Sequence, residues 1–71
     1  MSDTKAENLV KGTVLEMHPN MLFRVKLESG EEILAYLSGK MRLHRIRVLV
    51  GDTVELLPDP YGGKARILKR L

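Results

Sequence analysis

Short apolar runs separated by turn-forming residues begin at Leu9 and continue to the end of the chain. The runs are rich in Val, Ile and Leu, and clusters of Gly, Pro, Asn and Asp separate them at close spacing. In the clearest run, residues 21–27, apolar side chains at every second position share one face of an extended strand: Met21, Phe23, Val25 and Leu27. This pattern is typical of an all-β meander or barrel.

The same pattern predicts five strands, at residues 10–17, 21–27, 31–37, 53–57 and 65–71. Turns are expected at Pro19-Asn20 and at residues 28–30, because Pro fixes φ and Asn and Gly tolerate turn conformations. Residues 58–63 are expected to form a loop, since their prolines remove backbone donors and their glycines weaken regular structure.

A short helical turn is predicted between the third and fourth strands. Ser38 can cap residues 39–44, because its hydroxyl can accept a backbone N–H that the first turn leaves unpaired. The apolar residues 46–50 that follow have the composition of an extended segment. Five strands with a helical turn after the third is the layout of the OB fold, an all-β Greek-key barrel that often binds oligonucleotides.

The chain has 71 residues and no cysteine. This length permits one domain, expected over residues 9–71 after a flexible polar arm at residues 1–8, and the absence of thiols excludes a disulfide framework. No apolar run approaches the roughly 20 residues that span a bilayer, so we expect a cytoplasmic protein with no membrane partner. A domain this small has little stability to support strained catalytic apparatus, which argues against an enzyme.

Positive charge is concentrated in the second half of the chain. Residues 1–37 carry four Lys or Arg against six Asp or Glu, a net charge of −2, whereas residues 38–71 carry eight against three, a net charge of +5. A basic half indicates a polyanionic partner such as a nucleic acid, although a solvated charged surface explains many such asymmetries.

The most informative stretch is residues 38–47, in which four cations lie within eight positions without an acidic residue: Lys40, Arg42, Arg45 and Arg47. Such cations can neutralise phosphates, and Gly39 would permit close backbone approach. Met41 could press against a base or pack as an ordinary core residue. From the residues alone, an RNA-binding loop and a solvated connector both stay open.

Three further residues could extend a basic surface. Tyr36 is predicted to point outward on the third strand, where it could stack with a base or pack across strands. Lys64 and Arg66 begin the last strand, and Arg66 alternates away from Ile67. Arg24 is another outward candidate, while Lys69 and Arg70 are expected to be a solvated tail.

Motifs for metal, cofactor and catalytic chemistry are missing from the sequence. His18 and His44 lie on separate predicted loops with no ligand spacing around them. Glu31 and Glu32 are adjacent in a predicted strand, where neighbours point to opposite faces, so paired acid–base catalysis is not expected. The sequence also lacks phosphate-loop and dinucleotide fingerprints, and we expect no metal site and no cofactor.

Several of these stretches together closely resemble bacterial translation initiation factor 1, an S1-like OB-fold family, over residues 7–70. The stretches are Gly12 to Glu16, Pro19-Asn20, Phe23 to Leu27, Ser38-Gly39-Lys40-Met41-Arg42, Ile46 to Leu49 and Gly51-Asp52. The run from Ser38 to Arg42, followed by Ile-Arg and Gly-Asp, is the specific part, whereas the alternating strands would fit many S1-like domains.

The resemblance implies a non-enzymatic, monomeric factor that occupies the aminoacyl-tRNA site of the small ribosomal subunit. The loop matching residues 39–42 would enter the minor groove of the decoding helix of 16S rRNA, and residues matching Arg47 and Arg66 would contact its backbone. Such a factor would block premature tRNA entry and promote assembly with initiation factors 2 and 3.

The chain departs from the family at Arg45, which replaces a commonly aromatic residue, and at residues 61–66, where the loop is altered and shortened. The RNA register of Lys64 and Arg66 therefore stays open. Two other functions also stay open: a general RNA chaperone of the cold-shock type, which would need several exposed aromatic residues, and a protein-interaction module that uses the acidic second and third strands.

Overall fold

The computed structural model describes residues 9–71, so the predicted arm at residues 1–8 lies outside the described residues. The strands are β1 (Val10–His18), β2 (Leu22–Leu27), β3 (Glu32–Leu37), β4 (Thr53–Leu57) and β5 (Ala65–Arg70). A 3-10 turn at Pro19–Met21 joins β1 to β2, and a short helix, α1 (Gly39–Leu43), follows β3. Neither helical segment in this range has the length and apolar character to cross a membrane.

The strands close into a barrel in the order β1-β2-β3-β5-β4. β3 and β5 are parallel, and the other neighbouring pairs are antiparallel. α1 and the residues after it carry the chain from β3 to β4, which leaves β5 to pair with β3. The predicted five-stranded OB-fold barrel with a helical turn between the third and fourth strands is confirmed.

Alternating strand residues fill the interior of the barrel. Nine buried side chains come from the strands: Val14, Phe23, Val25, Ala35, Leu37, Val54, Leu56, Ala65 and Ile67. Two more, Met41 and Val48, come from the connection between β3 and β4 and complete the same cluster. The same alternation holds on the third strand, where Ala35 and Leu37 are buried while Leu34 is exposed.

Met21 does not lie on the inner face of the second strand, so that prediction is wrong. It ends the 3-10 turn, and its side chain is 52% exposed. Asn20 and Met21 both have left-handed backbone conformations, with φ of 66° and 61°. β1 continues to His18, which pairs with Leu22. Met21 therefore belongs to the turn, and β2 begins after it.

Other differences from the predicted boundaries are small. β3 begins at Glu32, β5 ends at Arg70, and α1 ends at Leu43 with His44 as its C-cap. Residues 46–49 form no strand, although Val48 enters the core. The connection from α1 to β4 is therefore held in place by buried side chains rather than by the hydrogen bonds of a sheet.

Candidate functional site

The start of α1 is attached to the barrel through Ser38. Its hydroxyl oxygen accepts a hydrogen bond from the backbone N–H of Met41 at 3.2 Å, which confirms the predicted N-cap. Its own backbone N–H donates to the carbonyl of Ile67 on β5 at 2.9 Å. The first turn of the helix is thus fixed at both its side chain and its backbone.

Met41 anchors α1 to the barrel, because its side chain is only 1% exposed and lies in the core cluster. This placement corrects the idea that the Met41 side chain presses against a base: a thioether buried among barrel residues has no surface to offer. The core interpretation of Met41 is the one that the structure supports. Burial of Met41 turns Lys40 and Arg42 to the solvent side of the helix, where both are exposed.

The chain reverses direction immediately after α1. The backbone N–H of Arg45 donates to the carbonyl of Arg42 at 3.1 Å, and the N–H of Ile46 donates to the carbonyl of Met41 at 3.0 Å. Arg45 has a left-handed backbone with φ of 54°, a position that glycine or asparagine usually fills at a helix C-terminus. The turn places the exposed Arg45 side chain beside the end of the helix.

Arg47 is held in place from β5. The Arg70 guanidinium donates from Nη1 to the backbone carbonyl of Arg47 at 3.0 Å, and the neighbouring Val48 is buried in the core. Further along, the Asp52 carboxylate accepts a hydrogen bond from the N–H of Leu49 at 2.9 Å. We call residues 39–47 the cationic segment; it projects four exposed cations from a backbone that is fixed on both sides.

The contact of Arg70 is one that the sequence did not reveal. Arg70 was expected to belong to a solvated tail, yet its side chain holds the backbone of the cationic segment. The contact depends on β5 running beside a segment 23 residues earlier in the chain. No local pattern of residues signals such an arrangement.

Tyr36 and Arg66 form a second part of the site. They are register partners on the parallel strands β3 and β5, and both side chains lie on the outer face of the barrel. Arg66 Nε lies 3.5 Å from the Tyr36 hydroxyl oxygen, and the guanidinium carbon lies 6.0 Å from the centre of the ring. These distances fit a weak polar contact with a cation–π component.

Lys64 lies on the loop next to this pair. Together with Tyr36 and Arg66 it lines an open groove of about 320 Å³ under the loop between β4 and β5. The loop is organised by Asp59, whose carboxylate accepts hydrogen bonds from the backbone N–H groups of Tyr61 and Gly63 at 3.2 and 2.9 Å. The altered loop therefore has a defined conformation that brings Lys64 beside Arg66.

Arg24 differs from the other candidate cations. It lies within 3.4 Å of a Glu16 oxygen and 3.6 Å of a Glu32 oxygen on the neighbouring strands. The two carboxylates compensate the positive charge of this guanidinium. Arg24 is therefore outward, as predicted, but its charge is offset by its neighbours.

Among residues 9–71, Arg24 is the only Lys or Arg with a carboxylate within ion-pair distance. The six candidate cations are therefore exposed and unpaired: Lys40, Arg42, Arg45, Arg47, Lys64 and Arg66. The same holds for Lys11, Lys26, Lys69 and Arg70, which lie outside the candidate site. The ion pairs found in that range join Glu16, His18, Arg24 and Glu32 on β1, β2 and β3. Unpaired cations retain their full attraction for an anion. The described part of the chain also brings together no group of three or more potential metal ligands.

A closed five-stranded barrel with a capped helical insertion and an exposed cationic segment defines an OB-fold domain with a basic face. The sequence matches the family described as translation initiation factor 1A / IF-1 over residues 1–71. The chain belongs to this family of translation initiation factors, and the resemblance found in the sequence is confirmed.

Two solved structures are similar to the whole barrel. The solution structure of translation initiation factor 1 from the Wolbachia endosymbiont strain TRS of Brugia malayi is 39% identical, with a TM-score of 0.74, and the match covers 97% of this chain and 85% of that one. The crystal structure of YjeQ from Thermotoga maritima is 36% identical, with a TM-score of 0.75 over 89% of this chain. This chain spans only 22% of YjeQ, so the match concerns a minor part of that protein.

Proposed function

We propose that this initiation factor binds the A site of the small (30S) ribosomal subunit by contacting the decoding region of 16S rRNA. The action is binding, with no chemical step. The observation that carries the proposal is the construction of the cationic segment. Ser38, Met41 and Val48 fix its backbone to the barrel, while Lys40, Arg42 and neighbouring arginines remain exposed and unpaired within residues 9–71.

The geometry of the segment suits a shallow RNA groove. The minor groove of an A-form helix is wide and displays sugar hydroxyls and base edges. Gly39 is exposed, and a Cβ at this position would meet no other atom within 4 Å. The RNA backbone can therefore approach the start of α1 closely. Lys40 and Arg42 reach the flanking phosphates, and Arg47 contacts the RNA backbone beside them.

A factor bound in this way would occupy the space that an aminoacyl-tRNA needs. It would block premature tRNA entry and favour assembly of the initiation complex with initiation factors 2 and 3. The factor would act in the cytoplasm, where initiation takes place, and would be a monomer away from the ribosome.

The two other functions have less support in the structure. Phe23 is buried in the core, which leaves only Tyr36 and Tyr61 as accessible aromatic residues for a general RNA chaperone. An acidic protein-binding surface on β2 and β3 is weakened by the pairing of Glu32 with Arg24. The unpaired cations favour RNA over both alternatives.

Binding of the purified protein to small subunits, measured as a function of salt concentration, tests the proposal. The logarithm of the affinity should fall linearly with the logarithm of the salt concentration. A Lys40→Ala/Arg42→Ala variant should bind more weakly and with a shallower slope, by about 0.7 to 0.9 for each lost phosphate contact. Lys26→Ala, which removes an exposed cation from β2, is the matched control. A flat salt response of the native protein would refute the proposal.

A further inference from the structure

The methionines of the chain differ sharply in their exposure to solvent. They are Met1, which lies outside the described residues, Met17, Met21 and Met41. Met41 is 1% exposed in the core, whereas Met17 near the end of β1 is 50% exposed and Met21 in the following turn is 52% exposed. Two of the three thioethers within residues 9–71 are therefore open to solvent, and both belong to the connection between β1 and β2.

Met17 and Met21 line a shallow depression of about 230 Å³ on the barrel surface. Ile46 and Leu49 line it with them, and both are exposed. The other lining residues are the buried Phe23, Leu37 and Val48 and the exposed Arg47. We call Met17, Met21, Ile46 and Leu49 the thioether patch, an apolar surface with a cation beside it.

The thioether patch is continuous with the cationic segment. Ile46 belongs to both, and Arg47 lines the same depression as the two methionines. A partner that contacts Arg47 therefore lies over Met17 and Met21 as well. A thioether is apolar and its sulfur is only a weak acceptor, so the reduced side chains leave no strong hydrogen-bonding group unpaired when a partner excludes water from them.

We propose that Met17 and Met21 are a reversible oxidation site, and that their sulfoxides weaken binding through the cationic segment. The oxidant is a peroxide. The sulfur lone pair forms an S–O bond to one peroxide oxygen while the O–O bond breaks, and the other oxygen takes up the proton and leaves as water. Each sulfur is oxidised by two electrons, and the peroxide is reduced by two. Methionine sulfoxide reductases with a dithiol reverse the step, because the oxygen leaves as water while the dithiol becomes a disulfide.

The sulfoxide opposes binding for two physical reasons. Its oxygen accepts hydrogen bonds and donates none, and a phosphate backbone also presents acceptors, so the two cannot pair. The same oxygen offers the Arg47 guanidinium an acceptor within the depression, in competition with a phosphate. Burial of one unpaired polar group lowers affinity by about fivefold at the lower end of its range. The effect on affinity rests on the proposed function, whereas the reactivity of the two sulfur atoms does not.

Oxidation of the free protein by hydrogen peroxide tests the site itself. Fragment-ion mass spectrometry of the intact chain follows each methionine separately, in the folded protein and in protein unfolded in urea. We expect Met17 and Met21 to react at rates within about threefold of each other in the two states, since exposure governs their reactivity. Met41 should react at least about tenfold more slowly in the folded protein, because its sulfur is reached only when the core opens. Folded-state protection of Met17 and Met21 equal to that of Met41 would overturn the site.

Binding to purified small subunits tests the consequence. Protein oxidised at Met17 and Met21 should bind at least about fivefold more weakly than reduced protein. Methionine sulfoxide reductases of both stereospecificities, with dithiothreitol, should restore the affinity. Met17→Leu/Met21→Leu is the control, since leucine nearly conserves the volume and has no sulfur, and peroxide should leave its affinity equal to that of its own untreated sample. In the native complex, the subunit should protect both methionines from peroxide.

Unchanged affinity after oxidation, an equal loss in the leucine variant, or unprotected methionines in the complex would each overturn the effect on binding. These results would leave the salt-dependent binding of the reduced protein intact, since that binding is measured separately. Failure of the reduced protein to bind subunits would instead refute the proposed function, and the effect on binding with it. The oxidation map of the free protein would still decide whether Met17 and Met21 are the reactive pair.

Discussion

The guanidinium of Arg70 donates a hydrogen bond to the backbone carbonyl of Arg47 at 3.0 Å. The bond joins the last residue of β5 to the middle of the connection that leads from α1 to β4. The side chain of one exposed arginine thus contributes, together with the buried Val48, to holding the backbone of another in place.

Removing this contact should loosen the cationic segment without unfolding the barrel. We expect Arg70→Ala to lower the free energy of unfolding by about 1 kcal/mol, a typical net contribution of one hydrogen bond. Exposure to solvent weakens the additional contribution that the charge of Arg70 would make to a buried hydrogen bond. Hydrogen exchange of the amides at residues 45–49 should accelerate more than that of the strand amides. Lys69→Ala, at the neighbouring exposed position, should change stability by no more than about 0.5 kcal/mol; equal effects of the two variants would contradict the anchor.

Arg42→Ala should separate binding from folding. Arg42 is exposed and has no carboxylate partner within residues 9–71, so the variant should keep its melting temperature. Its affinity for small ribosomal subunits should fall, since a phosphate contact is lost. Thermal denaturation and a subunit-binding titration measure the two quantities, and a large drop in melting temperature would show that Arg42 is structural.

Met41 should behave in the opposite way. Met41→Ala leaves a cavity in the core and should cost about 2 to 5 kcal/mol, a large share of the total for a domain with about 0.05 to 0.15 kcal/mol per residue. Met41→Leu nearly conserves volume and should cost less than about 1.5 kcal/mol. Urea denaturation compares the two, and a stable Met41→Ala variant would be incompatible with the buried position.

Two glycines give a matched test of backbone approach. At Gly39 a Cβ would meet nothing within 4 Å, so Gly39→Ala should leave stability unchanged or raise it by up to about 1 kcal/mol. The added methyl should nevertheless weaken subunit binding, because RNA is expected to approach at this point. Undiminished subunit binding by Gly39→Ala would show that close approach is not required.

Gly12 provides the contrast. A Cβ there would lie 2.6 Å from Val25 Cγ1 and 2.7 Å from the carbonyl oxygen of Lys26, and the carbonyl cannot move without disturbing β2. Gly12→Ala should therefore cost about 1 to 3 kcal/mol through overpacking. Chemical denaturation checks this value, and a neutral substitution would mean that β1 and β2 can separate at no cost.

The strands could be predicted because each is stabilised by a local pattern that the sequence displays. Phe23 and Val25 alternate with polar residues, and Ser38 has the side chain that an N-cap requires. Met21 could not be placed in the same way, since its position depends on the register between β1 and β2 rather than on its own alternation. The left-handed turn that excludes it from the strand is a property of the hairpin.

The candidate site was less predictable than the fold. The cations of residues 40–47 are visible in the sequence, but a helix of five residues is too short for a periodic pattern to show that Met41 points inward. The Arg70 contact and the Tyr36–Arg66 pair both require knowledge of which strands are neighbours. Long-range pairing, rather than residue type, determines these features.

Chemical footprinting of 16S rRNA in purified small subunits tests the central claim most directly. With saturating native protein, we expect the bases of the decoding region to be protected, and we expect this protection to be lost in the Lys40→Ala/Arg42→Ala variant but retained with Lys26→Ala. Decoding-region bases that stay fully reactive at saturating native protein would contradict the account.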